Sequence, residues 1–294
     1  MSAIGVIGTG LMGTAITRRL LDAQHEVVAF DVDGKKRAAI RDAGARVAES
    51  VYALASECET IVLAVFSTEQ VEQVVEGPGS ILGAIPPHPA ERIVVCTSTC
   101  DPDRLAALAS RVAQSGLHLL EAPISGTSRQ LAEGNGVGLV GGDAAIAQRA
   151  SAVLDAICPR RTRVGPVGHG SRAKLAVNLI LGLNRAAIAE GLVFAEKLGL
   201  DREAFLEVAR GSAAYSQVMD VKGGIFASRE YRQPQSRVDQ SLKDFKLMIE
   251  QAAARGQQLP FASVYVRMLE DCVARGEADW DNAAIGEAIA RQTS

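Results

Sequence analysis

An apolar run, Ile4-Gly5-Val6-Ile7, leads directly into Gly8-Thr9-Gly10-Leu11-Met12-Gly13. That succession leaves few folds open. The run reads as a buried strand, and glycines at this spacing read as a tight turn that opens a helix. The first glycine lets the chain turn out of the strand. The second lets backbone approach a pyrophosphate with no Cβ in the way, and the third lets the helix pack closely on the sheet. The helix start then presents unpaired N–H groups and a positive dipole end to the phosphates. A Gly-x-Gly-x-x-Gly on its own is a weak signal. Here it sits between strand and helix, and Asp31 closes the next strand about 20 residues on, so a dinucleotide-binding βαβ unit is expected.

The alternation continues. Apolar runs predict strands at 26–31, 60–65, 92–96, 117–121 and 137–140, with an extended piece near 162–165. Amphipathic helices are predicted near 12–24, 34–44, 69–76, 102–115 and 143–158, and the Gly/Pro-rich stretch 77–90 reads as a loop. Strands alternating with helices imply a largely parallel sheet covered on both faces. After Gly165-Pro166 the pattern changes to helices alone. Residues 171–198 read as one long helix whose 175–194 portion is apolar nearly all round, which predicts burial on every side, within the helical domain and against another subunit. Helices follow near 201–210, 239–255, 260–275 and 282–291, and 223–238, with Gly223-Gly224 and Pro234, reads as a loop. The expected architecture is an α/β Rossmann domain over 1–166 and an all-α domain over 167–294. The second domain is expected to serve substrate binding and dimerisation.

Bulk properties narrow the function. Hydrophobic residues make up 48% of the 294 and aromatics 4%, so the core is aliphatic. The net charge of −3 with scattered Lys and Arg argues against a nucleic-acid partner. No membrane span and no leader are read from the chain, so a cytoplasmic protein is expected. Five cysteines at Cys58, Cys96, Cys100, Cys158 and Cys272 fit neither a disulfide framework nor a zinc set, and no metal is expected. Asp31 can accept hydrogen bonds from both ribose hydroxyls of NAD and would repel a 2′-phosphate. NAD is therefore favoured, with NADP kept open by Lys35, Lys36 and Arg37.

The stretch Gly168-His169-Gly170-Ser171-Arg172-Ala173-Lys174-Leu175-Ala176-Val177-Asn178 puts Lys174 and Asn178 four apart, on one face of the long helix. Ser171 is placed to cap the first turn. A lysine near a helix start is more often a surface residue. On a buried helix it needs a partner or a shifted protonation equilibrium.

Four separated motifs resemble the β-hydroxyacid dehydrogenase family, relatives of 6-phosphogluconate dehydrogenase. They are Gly8-Thr9-Gly10-Leu11-Met12-Gly13; Glu121-Ala122-Pro123-Ile124-Ser125-Gly126-Thr127; Gly168-x-Gly170-x-x-x-Lys174-x-x-x-Asn178; and Leu242-Lys243-Asp244-Phe245-x-Leu247. The resemblance implies an NAD(P)-dependent exchange of hydride with a small 3-hydroxy acid or the matching semialdehyde acid. It makes Lys174 the general acid/base and Asn178 the residue that orients the substrate or Lys174. It gives Ser125, Gly126 and Thr127 to the substrate carboxylate, Lys243 to substrate and cofactor together, and Thr99 to the nicotinamide end. Gly8 to Gly13 and Asp31 would hold the rest of the cofactor. A homodimer or homotetramer is expected.

The chain departs from the family pattern at three points. Glu121 stands where Asp is usual, Thr127 replaces a glycine, and Cys96-Thr97 stands where an acid is usual. These bear on the substrate more than on the reaction. Imine reductases share the scaffold but usually lack the lysine. A nucleotide-binding protein without catalysis would have no need of Lys174, Asn178 and Lys243 together. His169 reads as exposed, and His25, His88 and His118 as structural. Arg185 is expected to pair with Glu190 or another acid, and Arg129, Tyr231 and Trp280 are weighed as packing or pocket residues.

Overall fold

The computed structural model describes residues 2–84 and 91–292, so His88 and the end of the 77–90 loop lie outside it. Two compact units divide between Lys174 and Leu175. The first is built from β1 (Ile4–Ile7), α1 (Leu11–Asp22), β2 (Val27–Phe30), α2 (Gly34–Asp42), β3 (Arg46–Val47), α3 (Val51–Glu57), β4 (Thr60–Leu63) and α4 (Thr68–Glu76). It continues through β5 (Arg92–Cys96), α5 (Pro102–Ala113), β6 (Leu117–Glu121), β7 (Ile124–Ser125), α6 (Ser128–Ala132), β8 (Val137–Gly141), α7 (Ala144–Arg149), α8 (Ser151–Ile157) and β9 (Arg160–Gly165).

Strands run in the order β3-β2-β1-β4-β5-β6 and are parallel throughout. β8 joins antiparallel to the end of β6 and to β7, and parallel to β9. Alternate residues of each strand feed two separate apolar cores. Ile4, Val6, Val27, Ala29, Val62 and Val95 belong to one, and Ile7, Val28, Ile61, Leu63, Val94 and Leu117 to the other. The order reverses between β1 and β4, and ligands of such sheets bind beyond the strand ends at that reversal. Side-chain caps start many of the helices: Asp33, Ser50, Ser67, Asp101, Thr127 and Asp143 each accept a backbone N–H of the helix that follows.

The long helix α9 (His169–Lys197) starts in the first unit and continues into the second. The second unit then holds α10 (Arg202–Arg210), α11 (Gln217–Ser228), α12 (Val238–Ala253), α13 (Pro260–Ala274) and α14 (Ile285–Ala290). Its core gathers Leu192, Leu206, Phe226, Phe245, Met248, Tyr265, Leu269 and Ile285.

The structure corrects several expectations. Residues 223–228 are helical, because Gly223 lets α11 approach α10: a Cβ there would lie 2.8 Å from a Leu206 methyl. The predicted helix at 143–158 is two helices that meet at Ala150, and 282–284 is a 3-10 turn. Within the single chain α9 leaves Ile180 and Phe194 each more than 60% exposed, and Leu198 just beyond its end is exposed to the same degree. By length and composition alone α9 could also cross a membrane, with a mean hydropathy of 1.4 over its apolar window and 22% of that window buried. Its Arg185, however, donates to Tyr265 Oη at 2.7 Å inside the helical unit. That phenol, and not Glu190, is the partner Arg185 finds. Tyr231 stacks with Trp280, and Arg232 lies over the Trp280 ring, so these aromatics pack on one another.

Candidate active site

The glycine turn has the geometry its motif predicts. Gly8 lies at φ +90°, where a Cβ would sit 2.6 Å from the Ala64 carbonyl oxygen. A Cβ on Gly13 would fall 1.8 Å from the Gly8 oxygen, so α1 can reach the turn only without one. Gly10 differs: a Cβ there would meet nothing within 4 Å. Gly10 is also the N-cap of α1, with no side-chain cap and no acid in the first turn. The helix start therefore faces open space with its amides uncapped by side chains, a cradle of the right chemistry for a pyrophosphate. Leu11 is exposed at this entrance, and Met12 packs against the sheet core.

Asp31 has a second role, one that sequence reasoning missed. Its Oδ2 accepts Thr9 N at 2.7 Å and Thr9 Oγ1 at 3.3 Å, and its Oδ1 accepts Asp33 N at 2.9 Å. The carboxylate thus fastens the glycine turn to the end of β2. Lys36 Nζ stands 3.9 Å from it. Arg37 is turned back onto the Asp31 and Val32 carbonyls and the Phe30 ring.

The loop after β5 is tied to the loop after β4. Thr97 Oγ1 donates to Leu63 O at 2.7 Å, Ser98 Oγ donates to Val65 O at 2.8 Å, and Asp101 N donates to Thr68 Oγ1 at 2.9 Å. Thr99, buried, is held inside this knot. Cys96 and Cys100 face each other nearby, Sγ to Sγ 3.9 Å, and all five cysteines are buried thiols. Burial pushes the Cys58, Cys158 and Cys272 thiols up to about 12.

The second and third motifs meet in the first unit. Lys174 is 7% exposed, and its Nζ donates to the Ile124 carbonyl at 2.6 Å. Ser125 and Gly126 follow directly, Gly126 at φ +142°. Thr127 also starts a helix. Its hydroxyl accepts Gln130 N at 3.2 Å, and Gln130 Oε1 accepts Thr127 N at 2.8 Å, a reciprocal capping box that starts α6. Ser171 does not cap α9 either. Glu121, fully buried, takes that role: its Oε1 accepts Gly170 N at 2.7 Å, and its Oε2 accepts Ser171 N at 2.9 Å and Ser171 Oγ at 2.6 Å. His169 is exposed, as expected of a loop-edge histidine. Arg129 pairs with Glu133 one turn along its short helix.

The third and fourth motifs meet in the second unit. Asn178 Nδ2 donates to Asp244 Oδ2 at 3.2 Å, and Lys243 Nζ pairs with Asp244 Oδ1 at 2.9 Å. Asp244, in the quoted motif but not singled out from sequence, is thus the joint between Asn178 and Lys243. Phe245, next along α12, lies against α9 at Gly182, where a Cβ would come within 2.3 Å of its ring. Among the described residues no cluster of His, Cys, Asp and Glu suits a metal.

The NAD-binding domain of 6-phosphogluconate dehydrogenase matches residues 3–165, and the NAD-binding domain of NADP-dependent 3-hydroxyisobutyrate dehydrogenase matches 168–289. L-threonate dehydrogenase of Cupriavidus necator is 30% identical over 96% of this chain and 94% of its own. 2-Hydroxy-3-oxopropionate reductase of Escherichia coli is 28% identical over 97% and 96%. A 3-hydroxyisobutyrate dehydrogenase from Salmonella typhimurium superposes with a TM-score of 0.88 at 26% identity, covering 98% of this chain and 99% of that one. The chain belongs to the β-hydroxyacid dehydrogenase family of NAD(P)-dependent oxidoreductases.

Proposed function

We propose that this enzyme interconverts a small 3-hydroxy acid and its semialdehyde or keto acid, using NAD in preference to NADP. One observation carries the reading. Lys174 is buried, its ammonium is fixed on the Ile124 carbonyl, and the next two residues are Ser125 and Gly126. A lysine held in one place beside a hydroxyl and a left-handed glycine turn suits proton exchange with an oxygen next to a bound carboxylate.

In this reading Gly8 to Gly13 hold the pyrophosphate, Asp31 the ribose and Thr99 the nicotinamide end. When bound, the nicotinamide supplies or accepts the hydride. As a neutral amine, still donating one N–H to the Ile124 carbonyl, Lys174 takes the hydroxyl proton during oxidation and becomes an ammonium; as an ammonium it gives that proton to the carbonyl oxygen during reduction. Ser125 and Gly126 bind the carboxylate. The Thr127 N–H already bonds Gln130, so Thr127 contributes shape more than hydrogen bonds. Asn178 orients the substrate oxygen, itself oriented by Asp244, and Lys243 balances the substrate charge. The relatives named for threonate and for 2-hydroxy-3-oxopropionate support a substrate of about three to five carbons with a single carboxylate. The exposed apolar side chains Ile180 and Phe194 of α9, with Leu198 just beyond its end, support a homodimer formed on α9.

The test is a panel of small hydroxy acids with NAD⁺ and NADP⁺, and of semialdehyde acids with NADH and NADPH, followed by nicotinamide absorbance. Turnover of a three- to five-carbon hydroxy acid, faster with NAD⁺, is expected. Firm cofactor binding with no turnover of any panel member, or a preference for 6-phosphogluconate, would reject the reading.

A further inference from the structure

We infer that Glu121 is a positioning residue for Lys174. It holds the first turn of α9 so that the lysine ammonium stays on the Ile124 carbonyl. The inference rests on the acid/base role proposed for Lys174 above.

Glu121 ends β6 and has no exposed surface. Its two oxygens accept three hydrogen bonds from two successive residues of the helix start, Gly170 N, Ser171 N and Ser171 Oγ. Helix starts leave such amides unpaired and favour negative charge, so the carboxylate suits both needs at once. The site is shaped around this side chain. A Cβ on Gly141 would fall 2.2 Å from Glu121 Oε1, and one on Gly170 would fall 2.9 Å from Glu121 Cδ.

The same two segments touch again a few residues on. Three residues after Glu121, the Ile124 carbonyl accepts the Lys174 ammonium at 2.6 Å. Four residues after Gly170, the helix delivers that lysine. Glu121 with Gly170 and Ser171 closes one end of this frame, and Ile124 with Lys174 closes the other. If the first end opens, the helix turn is free to shift, and Lys174 loses its fixed distance to the turn that holds Ser125. A displacement of about 1 Å in such a group costs about 100-fold in rate. Aspartate would be shorter by one bond, about 1.5 Å, and could not reach both amides from the same backbone position.

The experiment compares Glu121→Gln, Glu121→Asp, Ser171→Ala and Lys174→Ala with the unaltered enzyme. It reads kcat, KM, NADH affinity, melting temperature, the solvent deuterium isotope effect on kcat, and amide hydrogen exchange at Gly170 and Ser171. Glu121→Gln puts an NH₂ against donors. It should lower kcat about 10- to 100-fold with NADH affinity within about twofold. The solvent isotope effect should rise as proton transfer becomes limiting, and both amides should exchange faster. Ser171→Ala keeps both amide bonds and should lose only a few-fold. If Glu121→Gln is too unstable to assay, Glu121→Asp and Ser171→Ala carry the test in the same order. A folded Glu121 variant with unchanged kcat and isotope effect, beside an inactive Lys174→Ala, overturns the inference alone. A kcat loss with unchanged isotope effect and amide exchange also overturns it. A fully active Lys174→Ala overturns instead the functional reading on which the inference rests.

Discussion

Replacing Asp31 by Asn separates the charge effect proposed for this carboxylate from the bonds the structure shows it making. Its charge is proposed to oppose a 2′-phosphate, and its oxygens fasten the glycine turn. A carboxylate and a phosphate about 6 Å apart at an effective dielectric of 20–40 repel by about 1.5–3 kcal/mol. Removing the charge should shift the ratio of NADPH to NADH dissociation constants about 10- to 100-fold towards NADPH. Lys36, 3.9 Å from Asp31, would then be released to favour the phosphate as well. Arg37 contributes little, because its guanidinium stays on the carbonyls of Asp31 and Val32. Stability should fall at the same time. Asn has one acceptor oxygen, so it can keep the bond from Thr9 N or the bond from Asp33 N, but not both. Losing one such bond costs about 1–2 kcal/mol, and the melting temperature should drop by about 2–6 °C. Fluorescence titrations with NADH and NADPH, run beside thermal denaturation, measure both effects. Tighter binding of NADPH than NADH by the unaltered protein would refute the charge argument. So would an unmoved affinity ratio in a variant whose melting temperature has fallen.

Five further outcomes are expected. Thr127→Ala removes the N-cap of α6 and should cost about 1 kcal/mol in denaturant unfolding, whereas Thr127→Gly should cost a few tenths. Thr127→Gly should also improve use of an acid larger by one methylene, by about 1–3 kcal/mol in kcat/KM; an unchanged substrate profile would take Thr127 out of the pocket. Gly182→Ala drives a methyl into the Phe245 ring and should destabilise the protein by about 1–3 kcal/mol, so an unchanged melting temperature would contradict the packing of α12 on α9. Its own backbone N–H, the Ser67 hydroxyl and the Arg104 guanidinium hold the Glu69 carboxyl down to about 2. The folded value lies below the ordinary 4.5, so this stabilisation is complete above about pH 5 and is lost as pH falls towards 2. The stability gap between Glu69→Gln and the unaltered protein should close over that range, and a gap independent of pH would contradict it. Light scattering should give about twice the monomer mass at micromolar concentration, and a monomer would contradict pairing on α9.

β1, β2, β4, β5 and β6 were legible because each is a largely apolar run bounded by turn residues. β3 and β7 were not, since two residues carry no period. The glycine turn could be read in full: Gly8, Gly10 and Gly13 have the three geometries their spacing implies. The second half was harder. Gly223 reads as a breaker in sequence, yet it is the small residue that lets α11 lie close to α10. The apolar content of α9 suggested burial on every side. Burial depends on what surrounds the helix, and Ile180 and Phe194 stay exposed. Among the candidate site residues, Lys174, Asn178 and Lys243 were found by motif. What holds them was not, because Ile124 acts through its backbone carbonyl and Asp244 through a contact 66 positions away in sequence. Glu121 stood out only as a departure from Asp. Its work on the helix start lies 50 residues downstream, at a range no local pattern reports.

The central claim is that Lys174 moves the proton of the reaction. It is tested most directly by Lys174→Ala, assayed for turnover of the best hydroxy acid and for NADH affinity on the same preparation. Loss of the acid/base should lower kcat by about 10²–10⁴. NADH affinity should stay close to that of the unaltered enzyme, because the pyrophosphate cradle is built on β1 and α1. A Lys174→Ala enzyme with near-normal kcat would contradict the account.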